Sequence, residues 1–164
     1  MSSIATLYTL NESERPNLAE AKRREKTVTY KRGLFRTKEI ISGDRYLWEY
    51  LDSSATQKID FPHSGFVIVD YLFTLIEFTE DIQEMIDDQV IDEHYNTFDH
   101  ALCGRIAAFL EDKNPSDSDF EAFARDEGRD PDGYIEALRT THTLLVDWFR
   151  SANADELLVL HLTF

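Results

Sequence analysis

The sequence predicts an α+β protein that is mainly helical and has a small sheet, and three observations lead to this fold class. Apolar residues make up 42% of the 164 residues, enough for a substantial core. Several segments repeat apolar residues at intervals of three or four, as helices do. Two strand-forming runs, Ile4–Leu10 and Leu157–Leu162, stand far apart in the chain. We expect both runs to share one sheet, within a single globular domain over residues 1–164, because buried backbone groups need partners.

The first part of the chain contains a strand, a helix and a basic ribbon. Ile4–Leu10 is rich in β-branched and aromatic residues, and Asn11 closes it. A helix is expected over about Glu14–Glu25. The segment Thr27–Lys38 has strand formers on both sides of Gly33 and several Lys and Arg among them. This pattern indicates a hairpin or edge ribbon that its charges keep soluble.

Two apolar segments follow the basic ribbon. Ser42 is suited to cap a short aromatic helix over Asp44–Ser53. Four residues of this helix fall at helical spacing: Tyr46, Leu47, Tyr50 and Leu51. Asp60–Ser64 contains a proline and predicts a turn. Phe66–Phe78 is apolar nearly all round, so it is either a buried helix or, in its first half, a strand; its length favours the helix.

The second half of the chain is predicted to be helical until its last strand. Val90–Glu111 has the clearest amphipathic pattern in the chain and predicts one long helix. Ser118–Glu121 matches a capping box at the start of a short helix. Asp130–Pro131 is an N-cap followed by proline at the first helical position, and it predicts a further helix. The final segment, Leu157–Phe164, is apolar on both faces and predicts a central strand.

The charge of the chain is strongly negative and unevenly distributed. The net charge is -15, yet Met1–Glu39 carries nine Lys or Arg against five Glu, and the remaining residues carry -19. An acidic surface repels nucleic acid and anionic membranes, so neither is expected as a partner, whereas a basic protein is. The alternative interpretation is that net charge only keeps the protein soluble. The basic run around Lys31, Arg32 and Arg36 could bind phosphate or nucleic acid, or it could neutralise the acidic body or protect an exposed strand edge.

No metal or cofactor site is predicted. Asp130 and Asp132 resemble part of a calcium loop, but the pattern then places Gly128 and Arg139 where ligands are needed. His94 and His100 are six residues apart, so they would point away from each other on one helix. The lone Cys103 excludes an intrachain disulfide and favours a reducing, cytoplasmic compartment. The longest apolar run is too short to cross a bilayer.

Candidate catalytic groups are few, and none is assigned a role. His142 and His161 lie within apolar patterns, where either could be tuned for proton transfer but is more simply a core histidine. Asp70 interrupts an apolar segment and needs a hydrogen-bond donor if it is buried. Cys103 reads as a core thiol, and the Gly-x-Ser-x-Gly nucleophile pattern is absent from the sequence. The protein is therefore more simply a binding protein than an enzyme.

The predicted elements follow a recognisable order. A first strand is followed by an aromatic helix around Tyr46, Trp48 and Tyr50, and a closing helix with Trp148 precedes the last strand, LLVLHLTF. This order resembles the YfbM-like family of small bacterial proteins of unknown function. The resemblance implies an α+β fold and a bacterial protein, and it implies no functional residue. The chain departs from that family by inserting the basic segment Thr27–Lys38 early.

The leading functional hypothesis is a non-enzymatic protein-binding module, such as an inhibitor or an immunity-type protein. Its acidic face would steer a basic partner, and the aromatic side chains of Tyr46, Trp48 and Tyr50 would anchor it. The first alternative is a small enzyme that uses histidine and carboxylate side chains in a cleft. The second is an oligomeric or scaffold role, since the sequence leaves the oligomeric state open.

Overall fold

The computed structural model describes residues 3–32 and 37–164. The helices are α1 (Arg15–Arg23), α2 (Leu47–Ser54), α3 (Gly65–Asp70), α4 (Glu80–Asp87), α5 (His100–Lys113), α6 (Asp117–Asp126) and α7 (Pro131–Ser151). The strands are β1 (Ile4–Asn11), β2 (Thr27–Arg32), β3 (Thr37–Ser42), β4 (Gln57–Asp60), β5 (Val90–Asp92), β6 (Tyr95–Asp99) and β7 (Glu156–Thr163). A 3₁₀ turn, Glu12–Glu14, precedes α1, and a π-helical turn, Tyr71–Leu75, continues α3.

The predicted fold class is confirmed, because helices predominate around one five-stranded antiparallel sheet. The strand order is β4-β1-β7-β6-β5, so the first and last strands are neighbours and β7 is central. Leu7 lies opposite Leu160 in this pairing. The prediction that the two terminal runs share a sheet is therefore confirmed.

The two faces of the sheet are covered to different extents. Leu7 and Leu160 point to the first face, where they join a large core that includes Phe149 of α7. Leu10 and Leu157 point to the second face, which α1 and α2 cover at one end through a smaller core. Residues alternate between the faces along each strand, so the far end of the second face is left for a cleft. No helix within the described residues combines the length and the apolar character that a membrane crossing requires.

The prediction of one helix over Val90–Glu111 is wrong. The segment forms β5, a turn and β6, and α5 begins only at His100, where the Asp99 carboxylate accepts a hydrogen bond of 2.8 Å from the backbone N–H of Leu102. The reason is that β6 is buried on both faces of the sheet, with Tyr95 on one face and Phe98 on the other. The apolar residues of this doubly buried strand fall at intervals close to those of a helix, so the strand and the following helix together gave the pattern of one amphipathic helix.

Several helix starts differ from the predictions. Helix α2 begins at Leu47 rather than Asp44, because Ser42 is the last residue of β3 and cannot cap it. Helix α6 is capped by Ser116 rather than Ser118, since the Ser116 hydroxyl accepts from the backbone N–H of Asp119 at 3.4 Å. The Asp130 carboxylate accepts a hydrogen bond from the backbone N–H of Asp132 at 3.2 Å, as predicted for a cap, but Asp132 and Gly133 have non-helical backbone angles, so the regular part of α7 begins only at Tyr134.

The apolar segment after the proline turn is helical, as its length indicated. It forms α3 and the π-helical turn up to Leu75 and then continues in extended conformation. The edge strand β4 and helix α4 lack a counterpart among the predicted elements. Both are short, with four and eight residues.

The predicted basic ribbon is a hairpin. Strands β2 and β3 pair only with each other, from Thr27 opposite Ser42 to Arg32 opposite Thr37. Residues 33–36, which include Gly33 and Arg36, lie outside the described residues, as do all side chains from 30 to 39. At the base of the hairpin Gly43 has φ = 80°, and a Cβ atom there would lie 2.2 Å from the carbonyl oxygen of Glu25. Only glycine fits this close approach.

Candidate functional site

A cleft of about 490 Å³ opens over the uncovered end of the second sheet face. Its floor contains Thr6, His161 and Tyr95, which lie side by side because His161 is opposite Thr6 in β1 and opposite Tyr95 in β6. Helix α2 forms a wall with Trp48 and Asp52. Pockets of roughly 300–1,000 Å³ are typical of binding sites, so the cleft is large enough to hold several side chains or a small molecule.

The floor of the cleft is an aromatic pair. The rings of His161 and Tyr95 stack with centroids 4.3 Å apart and planes 5° from parallel. Burial lowers the pKa of His161 from 6.5 to about 4, and the nearby His94 acts in the same direction. Burial also raises the pKa of the Tyr95 phenol. At neutral pH the floor is therefore uncharged and suited to stack against a flat or apolar group.

We expect the neutral state of His161 to make the fold sensitive to mild acid. Its pKa is lower in the folded state than in the unfolded chain, so protonation favours unfolding. The stabilising contribution is present above pH 6.5 and is lost as the pH falls towards 4. Between pH 7 and pH 4, the free energy of unfolding should fall by roughly 1–3 kcal/mol more in the wild type than in His161→Gln. Urea unfolding of both proteins across this range measures the difference.

The His161→Gln variant is the matched control, because it retains every other titrating group. Its stability curve should run parallel to that of the wild type only if the imidazole of His161 has an ordinary pKa. An NMR titration in which this imidazole changes charge near pH 6.5 would contradict the prediction.

A network of charges lies beside the aromatic floor. The Asp52 carboxylate accepts a hydrogen bond from the Tyr8 hydroxyl at 2.9 Å and one from the Lys58 ammonium at 2.8 Å. The Lys58 ammonium also lies 5.6 Å from the centre of the Tyr8 ring. The bond from Lys58 lowers the pKa of Asp52, and burial together with Asp52 raises the pKa of Tyr8. Asp52 and Lys58 are therefore charged at neutral pH, and Tyr8 remains a hydrogen-bond donor.

In the cleft, the pKa of each of these groups lies farther from pH 7 than the ordinary pKa of the same side chain. His161 and Asp52 move to lower pKa, whereas Tyr8 and Lys58 move to higher pKa. A general acid or base works best when its pKa lies near the operating pH. The arrangement suits fixed charges and hydrogen bonds that recognise a ligand better than it suits proton transfer.

The rim of the cleft combines carboxylates with exposed aromatic side chains. Glu25 lies on the rim and pairs with Lys22 at 2.5 Å. Trp48 is 42% exposed, and Phe164, which also lines the cleft, is exposed as well. The exposed Phe66 of α3 extends this aromatic surface, because its ring centre lies 5.5 Å from that of Phe164. Exposed aromatic side chains beside a pocket are typical anchors for a partner.

The structure separates the three aromatic residues that the sequence singled out. Trp48 lines the cleft, and the ring of Tyr46 stacks with it at 6.1 Å. Tyr50 points elsewhere, because its hydroxyl donates to the Glu14 carboxylate at 2.5 Å. Two of the three predicted residues are therefore brought together at the cleft. Sequence reasoning missed Phe164, although its aromatic side chain follows a strand that was correctly identified.

The remaining candidate groups lie outside the cleft. The hydroxyl of Tyr71 and Nδ1 of His142 are 2.5 Å apart, and burial lowers the pKa of this histidine. Asp70 accepts hydrogen bonds from Tyr134 and Arg129, which supply the donors that its position required. Cys103 is fully buried in the core, and this burial raises the pKa of its thiol to about 12.

His94 and His100 are not on one helix. His94 lies in the turn between β5 and β6, and His100 is the first residue of α5. The prediction that both histidines lie on one helix is therefore wrong, and the two side chains contact different groups. His94 packs 6.0 Å from the ring of Phe164, and Nδ1 of His100 lies 3.0 Å from the carbonyl oxygen of Ala152. In the described part of the chain, no three His, Cys, Asp or Glu side chains gather closely enough to hold a metal ion.

Comparison of the chain with models of protein families, with curated protein sequences and with solved structures found no match. The YfbM-like resemblance consequently stays a prediction.

Proposed function

We propose that the protein is a non-enzymatic protein-binding module whose cleft receives a basic partner. The observation that carries this proposal is the exposed aromatic surface of Trp48, Phe66 and Phe164, which lies in and beside one cleft of a strongly acidic body. Large, rigid aromatic side chains supply contact area at low entropic cost, and they dominate the binding energy of many interfaces. An inhibitor or an immunity-type protein would use such a surface to occupy its target.

The charge of the body supports a basic partner. Residues 40–164 contain 27 Asp or Glu and eight Lys or Arg, so even complete pairing leaves 19 carboxylates without a cation. Several of the cations are already committed: Lys58, Arg105, Arg129 and Arg150 each pair with a carboxylate. The remaining negative charge would attract a cationic protein over about 10 Å at 0.1 M salt. This attraction would accelerate association, whereas the aromatic contacts would slow dissociation.

We expect Trp48→Ala to weaken binding by about tenfold or more, chiefly through faster dissociation. The probe is a displayed library of random peptides selected against the wild-type protein, from which we expect peptides rich in Arg or Lys that also carry aromatic or aliphatic residues. Surface plasmon resonance of one selected peptide gives the rates at 0.1 M and 1 M salt. Association should slow at high salt as screening shortens the reach of the charges.

Phe73→Ala is the matched control for Trp48→Ala. Phe73 is 44% exposed, as Trp48 is 42% exposed, but it does not line the cleft. This variant should bind like the wild type. Selection of acidic peptides, or equal weakening by both variants, would contradict the proposed function.

A second candidate function is a small enzyme with its active site in the same cleft. The observation that favours it is the presence of His161 on the floor beside Asp52 and Glu25, which is the histidine and carboxylate set that catalysis could use. The low pKa of His161 opposes it, because a base with a pKa of about 4 is weak at neutral pH. The NMR titration described above decides between the two, since a pKa of His161 near 6 to 7 would favour the enzyme.

A further inference from the structure

A lysine on the β4 side of the cleft is shared between two carboxylates. The Lys58 ammonium lies 2.8 Å from a carboxylate oxygen of Asp52 and 3.9 Å from one of Asp60. The hydrogen bond between Lys58 and Asp52 lowers the pKa of the carboxyl group and raises that of the ammonium, so both are charged at neutral pH. One cation therefore faces two anions, which leaves a net charge of -1 on this side.

The β5 side of the cleft has the same arrangement. The Lys22 ammonium pairs with Glu25 at 2.5 Å and also with Asp92, the last residue of β5. One ammonium again faces two carboxylates, so this side also carries -1. The two lysines and four carboxylates on both sides together carry -2, and the site favours a cationic ligand over an anionic one.

The two carboxylates that line the cleft each use one oxygen and keep the other for a ligand. The Tyr8 hydroxyl and the Lys58 ammonium both donate to Oδ1 of Asp52, and the Lys22 ammonium donates to Oε2 of Glu25. Among the residues that the structure describes, no group donates to Oδ2 of Asp52 or to Oε1 of Glu25. An ionised carboxylate accepts at both oxygens, so each can still receive an N–H donor.

A flat surface lies between the two anionic sides. The imidazole of His161 stacks on Tyr95, and this pair already contacts one cation, because the Lys22 ammonium lies 5.7 Å from the centre of the Tyr95 ring. The neighbour of His161 on the other side is Thr6 of β1. Paired strands are about 4.8 Å apart, and threonine has no ring to fill the space beside the imidazole. The imidazole face that points away from Tyr95 therefore borders the cleft, which both His161 and Thr6 line.

Three kinds of organic cation can neutralise such a site, and one of them matches all of its features. A lysine ammonium is a compact, strongly hydrated charge that does not stack. A quaternary ammonium packs against aromatic rings but has no N–H to donate to a carboxylate. An arginine guanidinium is planar, stacks on aromatic faces and carries five N–H donors. A stacking face beside carboxylate oxygens therefore fits a guanidinium best.

We propose that the cleft is a receptor for an arginine side chain of the partner, an inference that rests on the proposed function. The guanidinium stacks on His161 above Thr6 and donates to Oδ2 of Asp52. Glu25 adds attraction from the opposite side of the cleft. Trp48, in the wall formed by α2, packs against the aliphatic stem of the arginine.

An NMR titration of the wild-type protein with Nα-acetyl-arginine methylamide tests the site without a protein partner. We expect a saturable shift of the Trp48 indole N–H and a dissociation constant of about 1 mM, as is usual for so small a ligand. The corresponding lysine derivative should bind about fivefold more weakly or worse. Asp52→Asn keeps an acceptor for Tyr8 and Lys58 but loses the charge, and it should weaken the arginine derivative about fivefold or more.

Asp81→Asn is the matched control for Asp52→Asn. The Asp81 carboxylate also pairs with a cation, Arg105, but it does not line the cleft. This variant should bind the arginine derivative like the wild type. Equal weakening by the two variants would overturn the arginine site. Binding of the lysine derivative or of tetramethylammonium as tight as that of the arginine derivative would overturn it too.

The peptide selected against the wild-type protein separates this inference from the proposed function. Replacing its arginines by lysine one at a time should reveal one position at which wild-type binding weakens about tenfold and Asp52→Asn binding changes much less. If no position behaves in this way while Trp48→Ala still weakens binding and Phe73→Ala does not, the arginine site fails and the proposed function stands. If the arginine derivative binds as expected but no basic peptide is selected, the arginine site stands and the proposed function fails.

Discussion

Replacing Phe149 with alanine should lower the free energy of unfolding by about 3–5 kcal/mol. Only 1% of the surface of Phe149 in α7 is exposed, and its ring centre lies 5.0 Å from those of Phe98 and Trp148. Truncation removes apolar contact area and leaves a cavity where the longest helix meets the sheet. Small domains are stable by only about 5–15 kcal/mol, so the loss is a large fraction of the total. Unfolding in guanidinium chloride, followed by circular dichroism, measures it.

Phe73→Ala is the appropriate comparison for this core substitution. It removes the same number of atoms from an exposed position, so its effect should stay within roughly 0.5–1 kcal/mol. Comparable losses in the two variants would show that α7 does not pack against the sheet in the way described.

Two glycine-to-alanine substitutions should change stability in opposite directions. At Gly43 the added Cβ would lie 2.2 Å from the carbonyl oxygen of Glu25, and φ is +80°. A residue with a side chain pays about 1–3 kcal/mol for such a backbone conformation, and the overlap with the carbonyl forces the hairpin base apart. The amide protons of β2 and β3 should therefore exchange with solvent about tenfold to a hundredfold faster in Gly43→Ala. Hydrogen exchange followed by NMR resolves these amides.

Gly104→Ala should instead stabilise the protein by about 0.5–1 kcal/mol. Gly104 is exposed in the middle of α5, and a Cβ there would meet no atom within 4 Å. Alanine restricts the unfolded chain and favours the helix at such a site. If the amide protons of β2 and β3 exchange at the wild-type rate in Gly43→Ala, the close approach at Gly43 is refuted. If Gly104→Ala destabilises the protein, the open position of Gly104 on α5 is refuted.

The fold class could be predicted from the sequence, but the secondary structure of Val90–Glu111 could not, and the reason is physical. The last strand is apolar on both faces, and the first is rich in β-branched and aromatic residues, so each carries a local signal. Strand β6 is also buried on both faces, but it runs directly into α5, so Phe98 and Leu102 merged into one apparent stripe. Periodicity alone cannot separate a short doubly buried strand from a helix. The Asp99 cap was the local signal that marked the boundary.

The cleft was predictable only in part, because it is assembled from distant segments. Trp48 was predicted to be an anchor, and it falls outside the helical stripe that contains Leu47 and Leu51, where an exposed side chain is expected. Lys58 reaches Asp52 only because β4 pairs with β1, and Phe66 reaches Phe164 only because α3 begins beside the end of β7. Such contacts depend on the topology of the sheet, which no local pattern encodes.

The pairing of β1 with β7 also dictates when the chain can acquire its structure during synthesis. Leu7 and Leu160 are direct partners, yet about 150 residues separate them in the chain. A ribosome that adds about 5–20 residues per second needs roughly 8–30 seconds to make that length. For most of this interval β1 has neither β7 nor the late helix α7 to cover it, so its apolar side chains and its unpaired backbone groups are a target for chaperones. The sheet should therefore close in a late step after β7 leaves the ribosome, and folding should be slow compared with that of a helical bundle of the same length.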